Sequence, residues 1–354
     1  MKIVSIVGAR PQFIKSVPVS RELVKNQITE VLVHTGQHFG QNMSDIFFNQ
    51  MNISAPSYNL NINSLSHGAM TGQMLTEIEK VLSLEKPDLV IVFGDTNSTI
   101  AGALAAAKMN IKIVHIEAGL RSFNMRMPEE INRILTDRIS SYLFCPTDTA
   151  VKNLHNEGFQ QFNCSILNTG DVMYDSVLIF SGYEKKPPFS INEDFILCTL
   201  HRQENTDDPE KLKSLFDALH ILAERIKIIL PLHPRTRKKI NQLGIFNKSS
   251  SNIQLRDPVG YLEMLYLLKR CSIVMTDSGG LQKEAYFFKK PCLTLREETE
   301  WLELVENGFN FVCGSDPEII MSNYDKARKT SFNFNIELYG SGQASRLIVS
   351  ELLK

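Results

Sequence analysis

Short β-branched runs that end in small or polar turns, each followed by a helix-forming stretch, recur along this chain. The pair between residues 89 and 116 constrains the fold most tightly. Leu89-Val90-Ile91-Val92-Phe93 is bounded by Pro87-Asp88 and Gly94, so it reads as a buried strand. Gly94-Asp95-Thr96-Asn97-Ser98-Thr99 hands over to an Ala-rich helical stretch, 100–108. A second apolar run, Ile111-Lys112-Ile113-Val114-His115-Ile116, enters Glu117-Ala118-Gly119-Leu120-Arg121. The reading is a βαβ unit with neighbouring parallel strands. It puts Asp95 and Glu117 together at the C-terminal sheet edge, where open α/β sheets bind ligands. Pro128-Glu129-Glu130 then opens another helix, with more acid beside the same edge. Converging carboxylates are costly to keep ionised, and such clusters concentrate at functional sites. The plainer alternative makes Asp95 a helix N-cap and the two glutamates first-turn dipole partners.

A chain of 354 residues points to two domains or one large one, and 43% hydrophobic with 22% charged residues describes an ordinary soluble globular protein. The formal net charge of −1 argues against nucleic acid as a partner, so any anion recognition has to be local. The six cysteines form no C-x-x-C pair, and Cys198, Cys271 and Cys292 sit in apolar runs; they read as core residues in a reducing, cytoplasmic setting. The first strand meets Arg10-Pro11 too early for a signal peptide, and no apolar run approaches a membrane span.

Residues 1–7 form a strand that ends in Gly8-Ala9-Arg10-Pro11-Gln12-Phe13-Ile14-Lys15, which is not the G-x-G-x-x-G of dinucleotide sites. A helix over 17–25 and a strand over 30–34 follow, ending in Thr35-Gly36-Gln37-His38. Next come a helix over 42–51, a polar loop over 59–66, and a helix over 68–84 with Met70, Met74 and Ile78 at core spacing. A strand at 141–146, a helix at 147–157 and a strand ending in Asn168-Thr169-Gly170-Asp171 complete the first half. The polar, Pro-rich stretch 182–188 suits a connection near a domain boundary. A second α/β series has strands at 194–200, 226–230, 253–255, 271–275, 292–295 and 309–313, with helices at 209–224 and 261–270. This alternation predicts the α/β class, with two doubly wound Rossmann-like domains facing each other across a cleft.

In the second half, Thr276-Asp277-Ser278-Gly279-Gly280-Leu281-Gln282-Lys283-Glu284 is the most specific signal. Ser278 can cap the helix, Gly279 and Gly280 clear space for backbone amides to reach a phosphate, and Glu284 suits a vicinal diol such as a ribose. The plainer alternative is a tight turn. Arg10 and Lys15 add positive charge from the first domain. His201 and His233 follow two separate strands at the ligand edge, where an imidazole can assist phosphate departure. The histidines lack metal-ligand spacing, so no metal is expected.

Taken in order, the Gly8–Lys15 and Thr35–His38 stretches, Gly94-Asp95-Thr96, His115-Ile116-Glu117-Ala118-Gly119-Leu120-Arg121, Pro128-Glu129-Glu130-Ile131-Asn132-Arg133, His201-Arg202-Gln203-Glu204-Asn205 and the 276–284 motif resemble the non-hydrolysing UDP-N-acetylglucosamine 2-epimerases, over nearly the whole chain. The resemblance implies a GT-B-type fold, with an N-terminal domain over 1–172, a UDP-binding domain over 173–340 and a C-terminal helix, 341–354, crossing back to the first. It implies a UDP-sugar substrate, elimination and re-addition of UDP through a 2-acetamidoglycal, no cofactor, and a homodimer. Asp95, Glu117, Glu129 and His201 match the catalytic positions; Arg10, Ser278, Gly279, Gly280 and Glu284 match UDP contacts. Gln37 and His38 match the region that contacts an activating UDP-sugar in regulated members. The segments Arg296-Glu297-Glu298-Thr299-Glu300-Trp301 and Ser122-Phe123-Asn124-Met125-Arg126-Met127 resemble the branch acting on UDP-2,3-diacetamido-2,3-dideoxyglucuronate, and loop position makes Arg126 and Arg202 candidates for that sugar's carboxylate. A GT-B glycosyltransferase and a non-catalytic UDP-sugar sensor are the alternatives.

Overall fold

The structure is a computed structural model that describes residues 1–37, 55–191, 194–232, 234–245 and 252–354. It divides into two compact units. The first comprises residues 1–179 with 337–354, and the second residues 180–336. The crossings thus fall after residues 179 and 336, where 172 and 340 were expected. The helix expected over 42–51 lies outside the described residues.

The strands of the first unit are β1 (Lys2–Val7), β2 (Thr29–His34), β3 (Tyr58–Asn59), β4 (Leu89–Phe93), β5 (Lys112–Ile116), β6 (Tyr142–Cys145) and β7 (Ser165–Asn168). They form one parallel sheet in the order β3-β2-β1-β4-β5-β6-β7. Its helices are α1 (Arg10–Lys25), α2 (His67–Glu85), α3 (Asn97–Lys108), α4 (Pro128–Ile139), α5 (Asp148–Asn156) and α6 (Val172–Phe180), with a 3-10 turn at Phe159–Gln161. The order reverses between β1 and β4, which is the switch point where ligands enter such sheets. Strand β4 is buried throughout, as a parallel strand covered on both faces must be. Met70, Met74 and Ile78 do line the core beneath it.

In the second unit, β8 (Phe195–Thr199), β9 (Lys227–Pro231), β10 (Ile253–Arg256), β11 (Ile273–Thr276), β12 (Cys292–Thr294) and β13 (Asn310–Val312) are again all parallel, in the order β10-β9-β8-β11-β12-β13. The helices are α7 (Gln203–Thr206), α8 (Pro209–Ala223), α9 (Pro234–Gln242), α10 (Tyr261–Arg270), α11 (Gly279–Phe287), α12 (Leu302–Glu306) and α13 (Pro317–Lys329). The reversal here lies between β8 and β11. Cys198, Cys271 and Cys292 are buried in this unit, and all six cysteines are free thiols. The last helix, α14 (Ala344–Leu352), belongs to the first unit.

Three readings of the sequence need correction. Helix α1 starts at Arg10, not 17, because Pro11 occupies the first turn and Gln12 reaches back to the amides of Gly8 and Ala9 at 2.8 and 3.0 Å. The polar stretch after 58 begins as a two-residue strand pairing with β2. Helices α6, α7, α9, α12 and α13 carry no sequence expectation, although Asp316 caps α13 ahead of Pro317.

Candidate active site

At the first switch point, Gly94 adopts φ +61° and turns the chain out of β4, and its N–H donates to the Ile116 carbonyl at 2.9 Å. Asp95 is not the N-cap of α3. Thr96 holds that place and accepts from the Thr99 N–H. The Asp95 carboxylate is instead paired with the guanidinium of Arg133, and Asn132 Nδ2 donates to the Asp95 carbonyl at 3.0 Å. Both partners come from α4.

Glu117 follows β5 at φ +73°, a left-handed conformation that costs a non-glycine residue roughly 1–3 kcal/mol and collects at functional sites. Its N–H and that of Ala118 both donate to the Phe144 carbonyl at 3.0 Å, which holds the turn. The Glu117 carboxylate is buried against the Lys15 ammonium. Lys15, expected beside a diphosphate, therefore has its charge on a candidate catalytic acid. A Cβ at residue 94 would lie 3.1 Å from Glu117 Oε2 and 3.9 Å from Lys15 Nζ, so Gly94 serves the turn and leaves room between the two acid-bearing loops.

Of the two glutamates that open α4, Glu130 is the buried one. It accepts from Ser122 N and Oγ at 3.0 Å, from Phe123 N at 2.9 Å and from Arg133 Nη1 at 2.9 Å, which ties down the loop before the helix. Glu129 is half-buried beside it. Arg126 is exposed in that loop. Gln37 Oε1 accepts from Ser98 N and Oγ at 3.1 and 2.7 Å, anchoring the end of β2 to the start of α3. Arg10 is the first residue of α1. His38 and His233 lie outside the described residues.

At the second switch point, Asp277 is the organising group, and no sequence reading singled it out. It is fully buried after β11 and accepts from the main-chain N–H groups of His201 (3.0 Å) and Arg202 (2.9 Å), and from Asn205 Nδ2 (3.3 Å). The His201 ring, half-exposed, places Nδ1 3.1 Å from Asp277 Oδ1. Burial pushes the Asp277 carboxyl up, but the His201 ring and the main-chain donors outweigh it, and its pKa is lowered.

Ser278 caps α11, and the helix begins on the glycine pair. The two glycines are not equivalent. A Cβ on Gly279 would run into Glu300 Oε1 and lie 3.6 Å from Trp301 Nε1, whereas a Cβ on Gly280 meets nothing within 4 Å. Trp301 Nε1 donates to the Gly279 carbonyl at 2.9 Å, and Arg296 Nη1 to Glu300 Oε2 at 3.0 Å. Among the described residues Arg296 Nε and Nη2 are buried without acceptors, so this guanidinium has donors to spare near the start of α11. Glu284 is buried one turn into the helix. In the sequence Arg296 stands only within a variant motif, because nothing local marks an arginine as buried. Among the described residues no group of three or more His, Cys, Asp or Glu is placed to hold a metal, and no helix is long and apolar enough to cross a membrane.

Two doubly wound parallel domains in one chain define the GT-B-type fold. A lipopolysaccharide outer core galactosyltransferase shares that fold at 12% identity and a TM-score of 0.56, over 100% of this chain and 99% of its own. Much stronger likenesses give the family. The UDP-N-acetylglucosamine 2-epimerase family model matches residues 21–353. The UDP-2,3-diacetamido-2,3-dideoxy-D-glucuronate 2-epimerase of Pseudomonas aeruginosa is 53% identical over 357 residues, 100% of both chains. The crystal structure of Methanocaldococcus jannaschii UDP-GlcNAc 2-epimerase in complex with UDP-GlcNAc and UDP superposes with a TM-score of 0.92 at 43% identity, covering 100% of this chain and 99% of that one. The chain belongs to the UDP-N-acetylglucosamine 2-epimerase family, and is by class an isomerase.

Proposed function

We propose that the chain inverts C2 of a UDP-2-acetamido sugar, with UDP-2,3-diacetamido-2,3-dideoxyglucuronate as the preferred substrate. The observation that carries the reaction is the placement of two cation-paired carboxylates, Asp95 and Glu117, at the ends of adjacent parallel strands. One carboxylate takes the C2 proton while the C1–O bond breaks and its electron pair leaves with UDP, forming the C1=C2 double bond of a 2-acetamidoglycal. UDP then re-adds at C1 as the other acid delivers a proton to C2 from the opposite face. No carbonyl acidifies C2, so departure of the diphosphate must supply positive character at C1, which a carboxylate stabilises. Arg133 and Lys15 hold the two carboxylates in place by ion pairing. Glu129 is the third acid of this reading, and His201 assists the leaving diphosphate. Since no electrons are transferred overall, the chemistry calls for no redox cofactor.

In the second unit, Ser278, Gly279 and Gly280 are read as the diphosphate cradle at the α11 N-terminus, Glu284 as the ribose contact, and Arg296 as a further cation for the phosphates. Arg10 and the position of His233 are assigned to UDP as well. The preference for the diacetamido glucuronate is supported by the 53% identity to a relative named for that substrate. Arg126 and Arg202, one exposed and the other partly so, are the candidates for its C6 carboxylate. A bidentate arginine contributes about 1.5–3 kcal/mol, or roughly ten- to hundredfold in kcat/KM. Comparing kcat/KM for this nucleotide and UDP-N-acetylglucosamine tests the choice. A preference for the unmodified sugar removes the substrate assignment and leaves the epimerase. The same reading includes a homodimer in the cytoplasm, for which light scattering on the purified protein is the first check.

A further inference from the structure

We infer that His115 and Asp137 are positioning residues that hold the two acid-bearing turns in register for the proposed reaction, and the inference rests on that reading of Asp95 and Glu117. His115 is on β5 opposite Val92 of β4, is fully buried, and reaches no candidate substrate contact. Its Nε2 lies 2.8 Å from the Gly94 carbonyl and its Nδ1 lies 2.6 Å from Asp137 Oδ1. A carbonyl can only accept, so Nε2 carries hydrogen and donates. The Gly94 carbonyl shares a rigid plane with the Asp95 N–H, so this bond sets the direction in which Asp95 leaves the sheet.

Asp137 of α4 closes the other side. Besides the His115 ring it accepts from the Gly119 N–H at 3.2 Å, just beyond Glu117, and from Arg121 Nη1 at 2.7 Å. Arg121 is itself locked by Glu157, with Nε and Nη2 at 2.6 and 2.7 Å from its carboxylate oxygens. One buried chain of hydrogen bonds thus runs from the Asp95 turn through His115 and Asp137 to the turn after Glu117. Core packing alone accounts for neither contact, because each ring nitrogen is spent on a polar atom of a candidate functional loop or its support. An isolated buried polar pair would be replaceable by apolar groups at little cost.

The test uses the full chain and exploits the two ring nitrogens separately. The amide of asparagine falls near the Nδ1 position of histidine, that of glutamine near Nε2. His115→Asn keeps a group towards Asp137 and loses the Gly94 bond; His115→Gln keeps a donor for Gly94. Asp137→Asn preserves shape and leaves His115 in place. His115→Asn and Asp137→Asn are expected to lower kcat about a hundredfold with KM within about threefold, while His115→Gln regains about tenfold over His115→Asn. UDP affinity by calorimetry should stay at the wild-type value in all three. The Asp95 amide resonance should move in His115→Asn and return towards the wild-type position in His115→Gln. Equal kcat in the Asn and Gln variants, an Asp95 amide unmoved in both, or wild-type turnover in Asp137→Asn overturns the inference. Wild-type protein that exchanges no C2 proton, with the Asp95 amide still responding, leaves the positioning role standing and removes the function it was thought to serve.

Discussion

Asp95 and Glu117 could be picked out from strand-end position, because a parallel sheet delivers such residues to one edge whatever surrounds them. Their partners could not. Arg133 and Lys15 reach the two acids only after α4 and α1 have packed against the sheet, and a sequence does not say which arginine of a helix turns inward. For the same reason the sequence marks Glu130 only as one of two acids opening a helix and does not single out Asp277, although each accepts from two main-chain N–H groups. Substituting Asp95→Asn or Glu117→Gln is expected to lower turnover about a thousandfold, the middle of the range for a proton-transfer group, with UDP binding retained by calorimetry. Near-normal turnover in either variant contradicts its assignment. The glycine pair gives a second prediction at this scale. Gly279→Ala presses a methyl onto Glu300 and should cost about 1–3 kcal/mol of stability. Gly280→Ala has open space and should leave stability equal or up to about 1 kcal/mol higher, while weakening UDP binding. Thermal melts and UDP titrations of both variants separate the two effects; loss of stability in Gly280→Ala would count against the open cradle.

Helix α6 shows why some elements were illegible. Val172–Phe180 is apolar almost all round, so it offers no periodic polar face to read, and Ser176 and Asp175 both reach segments far away in the chain. Ser176 Oγ shares its one hydrogen between the Val172 carbonyl of its own helix at 2.9 Å and, at 2.8 Å, the Ile14 carbonyl, whose normal helical donor would be residue 18, a proline without an N–H. Asp175 accepts from Ala344 N at 3.1 Å, Ser345 N at 2.8 Å and Ser345 Oγ at 2.6 Å, and so caps α14. One helix thereby fastens both the first and the last helix of the chain to the first unit. Ser176→Ala leaves a buried carbonyl without its donor and should destabilise by about 1–3 kcal/mol. Asp175→Ala should cost about 1–2 kcal/mol and loosen α14 specifically. Hydrogen exchange across 344–352 is the check, and unchanged protection there would contradict the capping role. By contrast, the strands around 89–116 were legible almost to the residue, since buried parallel strands announce themselves as short β-branched runs.

For the molecule as a whole, each unit contains a buried aspartate held below the usual carboxylate range of about 3.9, Asp137 in the first and Asp277 in the second. At Asp137 burial opposes the shift, and His115 and Arg121 overcome it. Both groups hold fewer protons folded than unfolded, so their contribution is complete above about pH 3.9 and disappears as pH falls through their folded values. Denaturant curves of Asp277→Asn and wild type should therefore lie furthest apart near neutrality and converge below about pH 4. A gap independent of pH contradicts the assignment. UDP at a hundredfold its Kd should add about 2.7 kcal/mol to wild-type stability by linkage alone.

The proposed epimerisation stands or falls on what happens to the C2 proton. Purified protein is incubated in deuterium oxide with UDP-2,3-diacetamido-2,3-dideoxyglucuronate and, separately, with UDP-N-acetylglucosamine, and the sugar protons are followed by NMR. Epimerisation by elimination and re-addition predicts that the C2 proton signal disappears, that deuterium appears at C2 of a manno-configured UDP-sugar, and that the diacetamido nucleotide reacts faster. Retention of the C2 proton in both nucleotides, whether they stay intact or lose their sugar to an acceptor, would contradict it.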